Sequence, residues 1–213
     1  MQATRIIAIR HGETDWNVDT RIQGQLDIPL NEKGRWQAQR LARALAAHEP
    51  IAAIYSSDLS RAWDTAQPIA DTNGLAVVPE PGLRERSFGG FEGKTFTELE
   101  ASWPEQTALW RQRDSEWAPI GGESLSVVRD RVLQALDALA ERHLGEQIVL
   151  VSHGGVLDLL YRAATGLDIR APRSWTLVNA SINRLLWTPE ALTLVGWSDT
   201  AHLDDARTDE ATA

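Results

Sequence analysis

Two short apolar runs, Ile6-Ile7-Ala8-Ile9 and Ile148-Val149-Leu150-Val151, each lead within two residues into a histidine followed by glycine. Runs of this length, rich in β-branched side chains, read as strands buried on both faces, the signature of a parallel sheet. The first continues as Arg10-His11-Gly12-Glu13-Thr14-Asp15-Trp16-Asn17, the second as Ser152-His153-Gly154-Gly155. In an open α/β sheet the carboxyl ends of the strands frame the ligand crevice. Two imidazoles at two strand ends therefore suggest one site facing one ligand, and the arginine beside the first suggests that the ligand is an anion.

The rest of the chain can supply such a sheet. After a polar loop at 12–31, a helix is expected at about 32–47, with Leu41, Ala44 and Leu45 on its apolar face. A short strand at 51–55 follows, then Ser56-Ser57-Asp58 as cap candidates for a helix near 59–72. A third strand at 75–78 ends at Pro79 and Pro81. Ser124 is expected to cap a long amphipathic helix at about 125–142. A strand at 147–152, a helix at 155–165 and a hairpin of 182–188 with 192–198 complete the pattern. Alternating strands and helices imply an α/β fold, a three-layer α/β/α sandwich with a mainly parallel sheet and an antiparallel C-terminal element. The reading gives one domain over 1–203. Within it, the Gly-, Trp- and charge-rich segment 86–122 is an excursion covering the site, and 204–213 is an acidic tail expected to be disordered.

Composition narrows the function. With no cysteine in the chain, disulfides, thiolate metal sites and cysteine nucleophiles are excluded. A net charge of −9 argues against a nucleic-acid partner. No run approaches the ~20 apolar residues of a membrane helix, and the N-terminus does not read as a signal peptide. The expectation is a cytoplasmic protein with a small-molecule partner, no nucleic acid and no membrane, a homodimer being left open. The nine tryptophans are expected mostly in core or pocket wall. His48, His143 and His202 are expected at the surface, in no metal-ligand spacing, so no metal and no cofactor are expected.

The anion's chemistry follows from the side chains. A neutral imidazole can attack phosphorus and hold it covalently, splitting one hard displacement into two easier ones. The planar fork of Arg10 matches phosphate oxygens, and Arg61, in the first turn of a helix, can join the positive helix end on one anion. Gly154 and Gly155 open a helix and free N–H groups for an oxyanion. Glu85, in Leu83-Arg84-Glu85-Arg86, is the best-placed carboxylate to protonate a leaving oxygen and then deprotonate water. Taken singly, Arg61 and Glu85 are ordinary surface residues. Taken together, in this order and at strand and helix ends, they make a site.

Five stretches, Arg10-His11-Gly12-Glu13-Thr14-x-Trp16-Asn17, Ser56-Ser57-x-Leu59-x-Arg61-Ala62-x-x-Thr65-Ala66, Leu83-Arg84-Glu85-x-x-Phe88-Gly89-x-x-Glu92-Gly93, Gly121-Gly122-Glu123-Ser124 and Val151-Ser152-His153-Gly154-Gly155, resemble the histidine phosphatase (phosphoglycerate mutase-like) superfamily. The likeness spans about residues 5–198 and looks most like its bacterial broad-specificity phosphatases. It implies His11 as the phosphorylated nucleophile and Glu85 as proton donor and later base. It also implies a phosphate pocket of Arg10, Arg61 and His153 with Asn17 as a further donor. Gln23, Gly24, Arg86 and Gly154 complete the expected binding set, and the chemistry is metal-independent.

Two departures favour hydrolysis over the bisphosphoglycerate-dependent mutase reaction, the alternative reading. Glu85 and His153 are only 68 positions apart, shorter than the connection in the mutases, and position 23 is Gln where mutases commonly have Thr or Ser. Arg86 pulls the other way: the pair Glu85-Arg86 occurs in mutases, and Arg86 either grips a second substrate anion or pairs with Glu85 or Glu92 at the surface. Arg111 and Arg113 either line the same mouth or are solvated. A non-catalytic phospho-ligand binding protein is the alternative of another class. The expected function is a phosphomonoester hydrolase for small phosphorylated metabolites.

Overall fold

A computed structural model describes residues 2–46 and 50–204. Six strands form one sheet: β1 (Thr4–Arg10), β2 (Ala53–Ser56), β3 (Val77–Pro79), β4 (Gln147–Ser152), β5 (Ile182–Thr188) and β6 (Ala191–Asp199). Their order is β3-β2-β4-β1-β5-β6. The first four run parallel, and the hairpin of β5 and β6 closes one edge antiparallel. All six positions of β4 are buried, which is why its sequence reads as a continuous apolar run.

Alternate side chains of the central strands feed two separate cores. Ile6, Ala8, Ile148 and Leu150 pack with α6 (Leu125–Glu141) and α7 (Gly154–Thr165) through Val132, Leu136, Leu157 and Leu160. Ile7, Ile9, Val149 and Val151 pack on the opposite face with α2 (Glu32–Ala46) and α3 (Ser60–Asn73) through Leu41, Leu45, Ala62 and Ile69. The result is the expected three-layer α/β/α arrangement. No helix among the described residues is long and apolar enough to cross a membrane.

Several local expectations are corrected. The loop 12–31 contains a one-turn helix, α1 (Asp15–Val18), which Thr14 and Asn17 close reciprocally as a capping box. Neither Ser57 nor Asp58 caps α3: its cap is Leu59, whose side chain makes no cap bond. The Ser60 N–H donates instead to Asp27 Oδ1 at 2.7 Å, a carboxylate brought in from the loop before α2. Ser57 is thereby free for another partner, and Asp58 makes a two-point pair with Arg84. Among the tryptophans Trp187 lies in the core, whereas Trp36 and Trp103 are exposed.

The segment between β3 and α6 folds into short pieces, including α4 (Phe96–Ser102) and α5 (Pro104–Arg111). They share a small aromatic cluster in which Phe91 meets Trp103, Trp110 and Trp117. His143 is not simply solvated: it joins the Tyr55 hydroxyl at 2.9 Å and Glu146 at 2.7 Å. His202 sits half-buried in the turn Ala201–Leu203. His48 and residues 205–213, nearly all of the expected tail, lie outside the described residues.

Candidate active site

The backbone ladder continues one residue past three parallel strands, placing positions 11, 57 and 153 side by side. The His11 N–H donates to Ser152 O at 2.9 Å and the Ser57 N–H to Val151 O at 3.0 Å. The rings of His11 and His153 lie 5.2 Å apart, centroid to centroid. His11 Nδ1 is 2.7 Å from its neighbour's carbonyl, Gly12 O. A carbonyl only accepts, so Nδ1 carries the proton and the lone pair is left on Nε2. Burial, then the charges of Arg61 and Arg10, push the His11 pKa well below the ordinary imidazole value, so the ring is neutral at pH 7. His153 is neutral for the same reasons, burial first and Arg61 next. Its Nε2 meets Ser57 Oγ at 2.8 Å, and its buried Nδ1 has no partner among the described residues.

The nucleophile's loop is held by backbone. The Gly12 N–H donates to Thr65 Oγ1 at 2.9 Å, and that hydroxyl donates to Arg61 O at 2.7 Å. Asn179 Nδ2 reaches His11 O at 3.0 Å and Asn17 Oδ1 at 3.2 Å. Gly34, in the first turn of α2, packs against the loop so closely that a Cβ there would lie 2.1 Å from Glu13 O.

Both expected guanidiniums are present, Arg61 buried and Arg10 half-buried. Arg61 is 1% exposed and is aimed by Nη2–H to Gly24 O at 2.7 Å and Nη1–H to Leu26 O at 2.9 Å. Arg10 gives an Nη1–H to Leu177 O. The Nε groups of Arg10 and Arg61 are buried without a partner among the described residues. Burial pushes the Arg10 pKa down to about 10, so the cation gains from any anion brought beside it. Gln23 is 8% exposed and its Oε1 is likewise unpartnered.

Glu85 stands over the start of α7. Its Oε1 accepts the Arg86 N–H at 2.8 Å and its Oε2 the Gly155 N–H at 3.0 Å. The N–H of Gly155, expected to serve an oxyanion, is thus engaged by this carboxyl group. Glycine there is a packing requirement, because a Cβ on Gly155 would lie 2.2 Å from Glu85 Oε1. Gly24, at φ +54°, equally makes room for Glu92, whose Oε1 accepts the N–H groups of Gln25 and Phe88. The Arg86 guanidinium is neither solvated nor bonded to the side chains of Glu85 or Glu92. The residue is 4% exposed, its side chain donating to Glu123 O at 2.8 Å and Trp117 O at 3.3 Å.

Two adjoining cavities result. A slot of about 180 Å³ is lined by Arg10, His11, Asn17, Gln23, Gly24, Arg61, Glu85 and Gly154 among others. A larger cavity of about 650 Å³ shares Arg10, Glu85, Phe88, Trp110 and Gly154 with it and extends to Arg86, Arg113, Arg173 and Trp175. His153 lines neither; it backs His11 from within. Arg113 reaches the larger cavity, whereas Arg111 pairs with Glu100 on the exposed side of α5. Asn179, Asp27 and Arg173 are absent from the sequence reading, and Thr65 stands in its second stretch without a role. Only Thr65 carried a local signal there, a hydroxyl four residues after Arg61 on one helix. Among the described residues, no group of three or more His, Asp or Glu side chains is placed to hold a metal ion.

Residues 6–200 match the family described as histidine phosphatase superfamily (branch 1). The chain is 41% identical over 203 residues to phosphoglycerate mutase-like protein 4 of Arabidopsis thaliana, covering 94% of this chain and 87% of that protein. It is 40% identical over 204 residues to a metal-independent phosphoserine phosphatase of the same plant, covering 95% and 84%. Among solved structures, it resembles the mycobacterial glucosyl-3-phosphoglycerate phosphatase with VO3 at a TM-score of 0.80 and 37% identity, covering 92% of this chain and 99% of that one.

Proposed function

The chain belongs to branch 1 of the histidine phosphatase superfamily and is a small-metabolite phosphatase; from that premise we propose that it hydrolyses phosphomonoesters without a metal, through a phosphohistidine at His11. The observation that carries this reading is the slot in which a neutral imidazole, its tautomer set by Gly12 O, faces two guanidiniums, one buried and one half-buried, and one carboxyl group.

In the first step Nε2 of His11 attacks phosphorus, the P–O bond to the alcohol breaks, and protonated Glu85 gives its proton to the departing oxygen. Arg10 and Arg61, with Asn17 and Gln23 beside them, hold the phosphoryl oxygens. The unpartnered Nδ1 of His153 is a further contact for this group, and pairing it relieves the cost of a bare buried nitrogen. In the second step water attacks phosphorus, Glu85 takes the water proton, and the P–N bond breaks to return neutral His11 and inorganic phosphate. Preformed charge and positioning supply most of the rate in such transfers.

The larger cavity, with the segment 86–122 as its cover, receives the alcohol. At about 650 Å³ it keeps room for water beside any three-carbon alcohol, which favours hydrolysis over return of the phosphoryl group to a bound acceptor. Residues 1–203 act as a single domain, in the cytoplasm. An aryl phosphate should be turned over with chelator present, and quenching in alkaline detergent, where a P–N bond survives, should trap phosphate on His11. Loss of turnover on chelation, or an active His11→Ala variant, would overturn the proposal. Isomerised phosphoglycerate in place of free phosphate would instead establish the mutase reaction.

A further inference from the structure

The turn 177–180, between α7 and β5, crosses the end of β1 and touches three members of the phosphate pocket. Arg10 Nη1 donates to Leu177 O. The Ala180 N–H donates to Arg10 O at 2.9 Å and to His11 O at 3.2 Å. Asn179 Nδ2 shares its hydrogens among His11 O at 3.0 Å, Gly12 O at 3.3 Å and Asn17 Oδ1 at 3.2 Å. Ala180 is wholly buried at φ +57°, a left-handed conformation that costs a residue with a side chain free energy and persists where the surroundings impose it. The turn is therefore built against local preference at the point where it meets the nucleophile.

No single acceptor depends on Asn179. His11 O also has the Ala180 N–H, Gly12 O has Nδ1 of His11, and Asn17 Oδ1 has the N–H and the hydroxyl of Thr14, each at 3.1 Å. Removing the Asn179 donor thus orphans none of them. What it contributes is a connection. Among the described residues, Asn179 is what bonds the Asn17 side chain to the end of β1. The helix carrying Asn17, α1, is one turn long and buries none of its residues, so packing does not fix its place. Its other contacts lead outward to the excursion. The Trp16 ring lies against Gly93, and Arg21, whose N–H donates to Trp16 O, is bridged to Thr95. With Oδ1 of Asn17 taken by three donors, its Nδ2 is the end left to face the slot that the residue lines.

We propose that Asn179 is a positioning residue for phosphoryl transfer, acting through Asn17. It ties the one-turn helix to the backbone of the nucleophile, so that the Asn17 N–H groups stay on the phosphoryl oxygens. An amide suits the place because all three groups it faces are acceptors, and it offers two donors without a charge. The assignment rests on the proposed function in that Asn17 faces the transferred group.

The test is a double-mutant cycle on calorimetric binding of orthovanadate, a tetrahedral anion whose affinity is read without turnover; aryl phosphate turnover by the unaltered enzyme tests the hydrolase reading separately. Asn17→Ala should weaken vanadate binding by about tenfold or more, the worth of a hydrogen bond to a charged group. Asn179→Leu, similar in shape but without a donor, should weaken it by about three- to tenfold through misplacement of Asn17. Made in the Asn17→Ala background, the same substitution should cost less than about 1.5-fold, because the group it positions is gone. Should Asn179→Leu fail to fold, Asn179→Ser shortens the reach without adding bulk and runs the same cycle. Equal losses from the Asn179 substitution in both backgrounds would make the residue a general support of the turn and overturn the proposal. Unchanged affinity on substituting Asn179 while Asn17 is intact overturns it as well.

Discussion

Gly155→Ala separates catalysis from folding in this site. The new Cβ would start 2.2 Å from Glu85 Oε1, where ordinary contact begins at 3.4 Å, so the carboxyl must retreat by about 1.2 Å. The obstructing atom ends a flexible side chain, so Glu85 moves and the helix stays. Replacing glycine inside a helix stabilises by about 0.4–1 kcal/mol, and losing the Gly155 and Arg86 N–H bonds to Glu85 costs about 2 kcal/mol. The net loss of about 1–1.6 kcal/mol should lower Tm by only about 2–6 °C. The chemistry does not escape: a displacement of about 1 Å at a reacting group costs on the order of 10²-fold. The assay is kcat/KM, which reports formation of the phosphoenzyme, for an alkyl phosphate and for p-nitrophenyl phosphate. The alkyl ester, whose leaving oxygen needs a proton, should lose about 10²-fold. The aryl ester should lose less than about threefold, while phosphohistidine accumulates because water activation also suffers. Equal losses for the two esters, or none for either, would show that Glu85 is not the acid.

Three other outcomes are expected. Between pH 7.5 and 5.5, urea unfolding should show stability falling as the pH drops below about 6.5. His11 and His153 are held neutral in the fold but protonate near 6.5 when unfolded, up to about 1.4 kcal/mol per pH unit for each, and the loss levels off at their folded values; a flat profile contradicts their burial as neutral rings. Arg61→Met should lower kcat/KM by about 10² and move its acid limb upward, because the Arg61 charge helps to depress the His11 pKa; an unmoved limb would remove Arg61 from the neighbourhood of His11. Gly34→Ala sets a methyl against the backbone of Glu13, so thermal unfolding should show a loss of about 1–3 kcal/mol or more, and an unchanged Tm would mean that the loop is free to yield.

What was legible in the chain follows from how local each signal is. The strands carrying His11 and His153 announced themselves because both faces of each are buried, which forces an apolar run. Glu85, Arg10 and Arg61 were legible as chemistry placed at element ends. Ser57 reads as a cap because capping is a local rule, whereas its partner His153 arrives from the neighbouring strand and the real acceptor of the Ser60 N–H is Asp27. Asn179 offered no signal, since its role exists only once the chain between α7 and β5 returns to the end of β1. Arg113 is ambiguous in the sequence because the carboxylate it pairs with, Asp158, lies on α7, far along the chain.

The hydroxyl of Thr65, bonded at once to the Gly12 amide and the Arg61 carbonyl, has a consequence for how this enzyme can diverge. It locks the attacking group and its counter-cation into one mechanical unit, so neither can drift without dragging the other. Inheritance of the reaction is then conservative by construction. Novelty in what is dephosphorylated must come from segments that this single oxygen does not tie down.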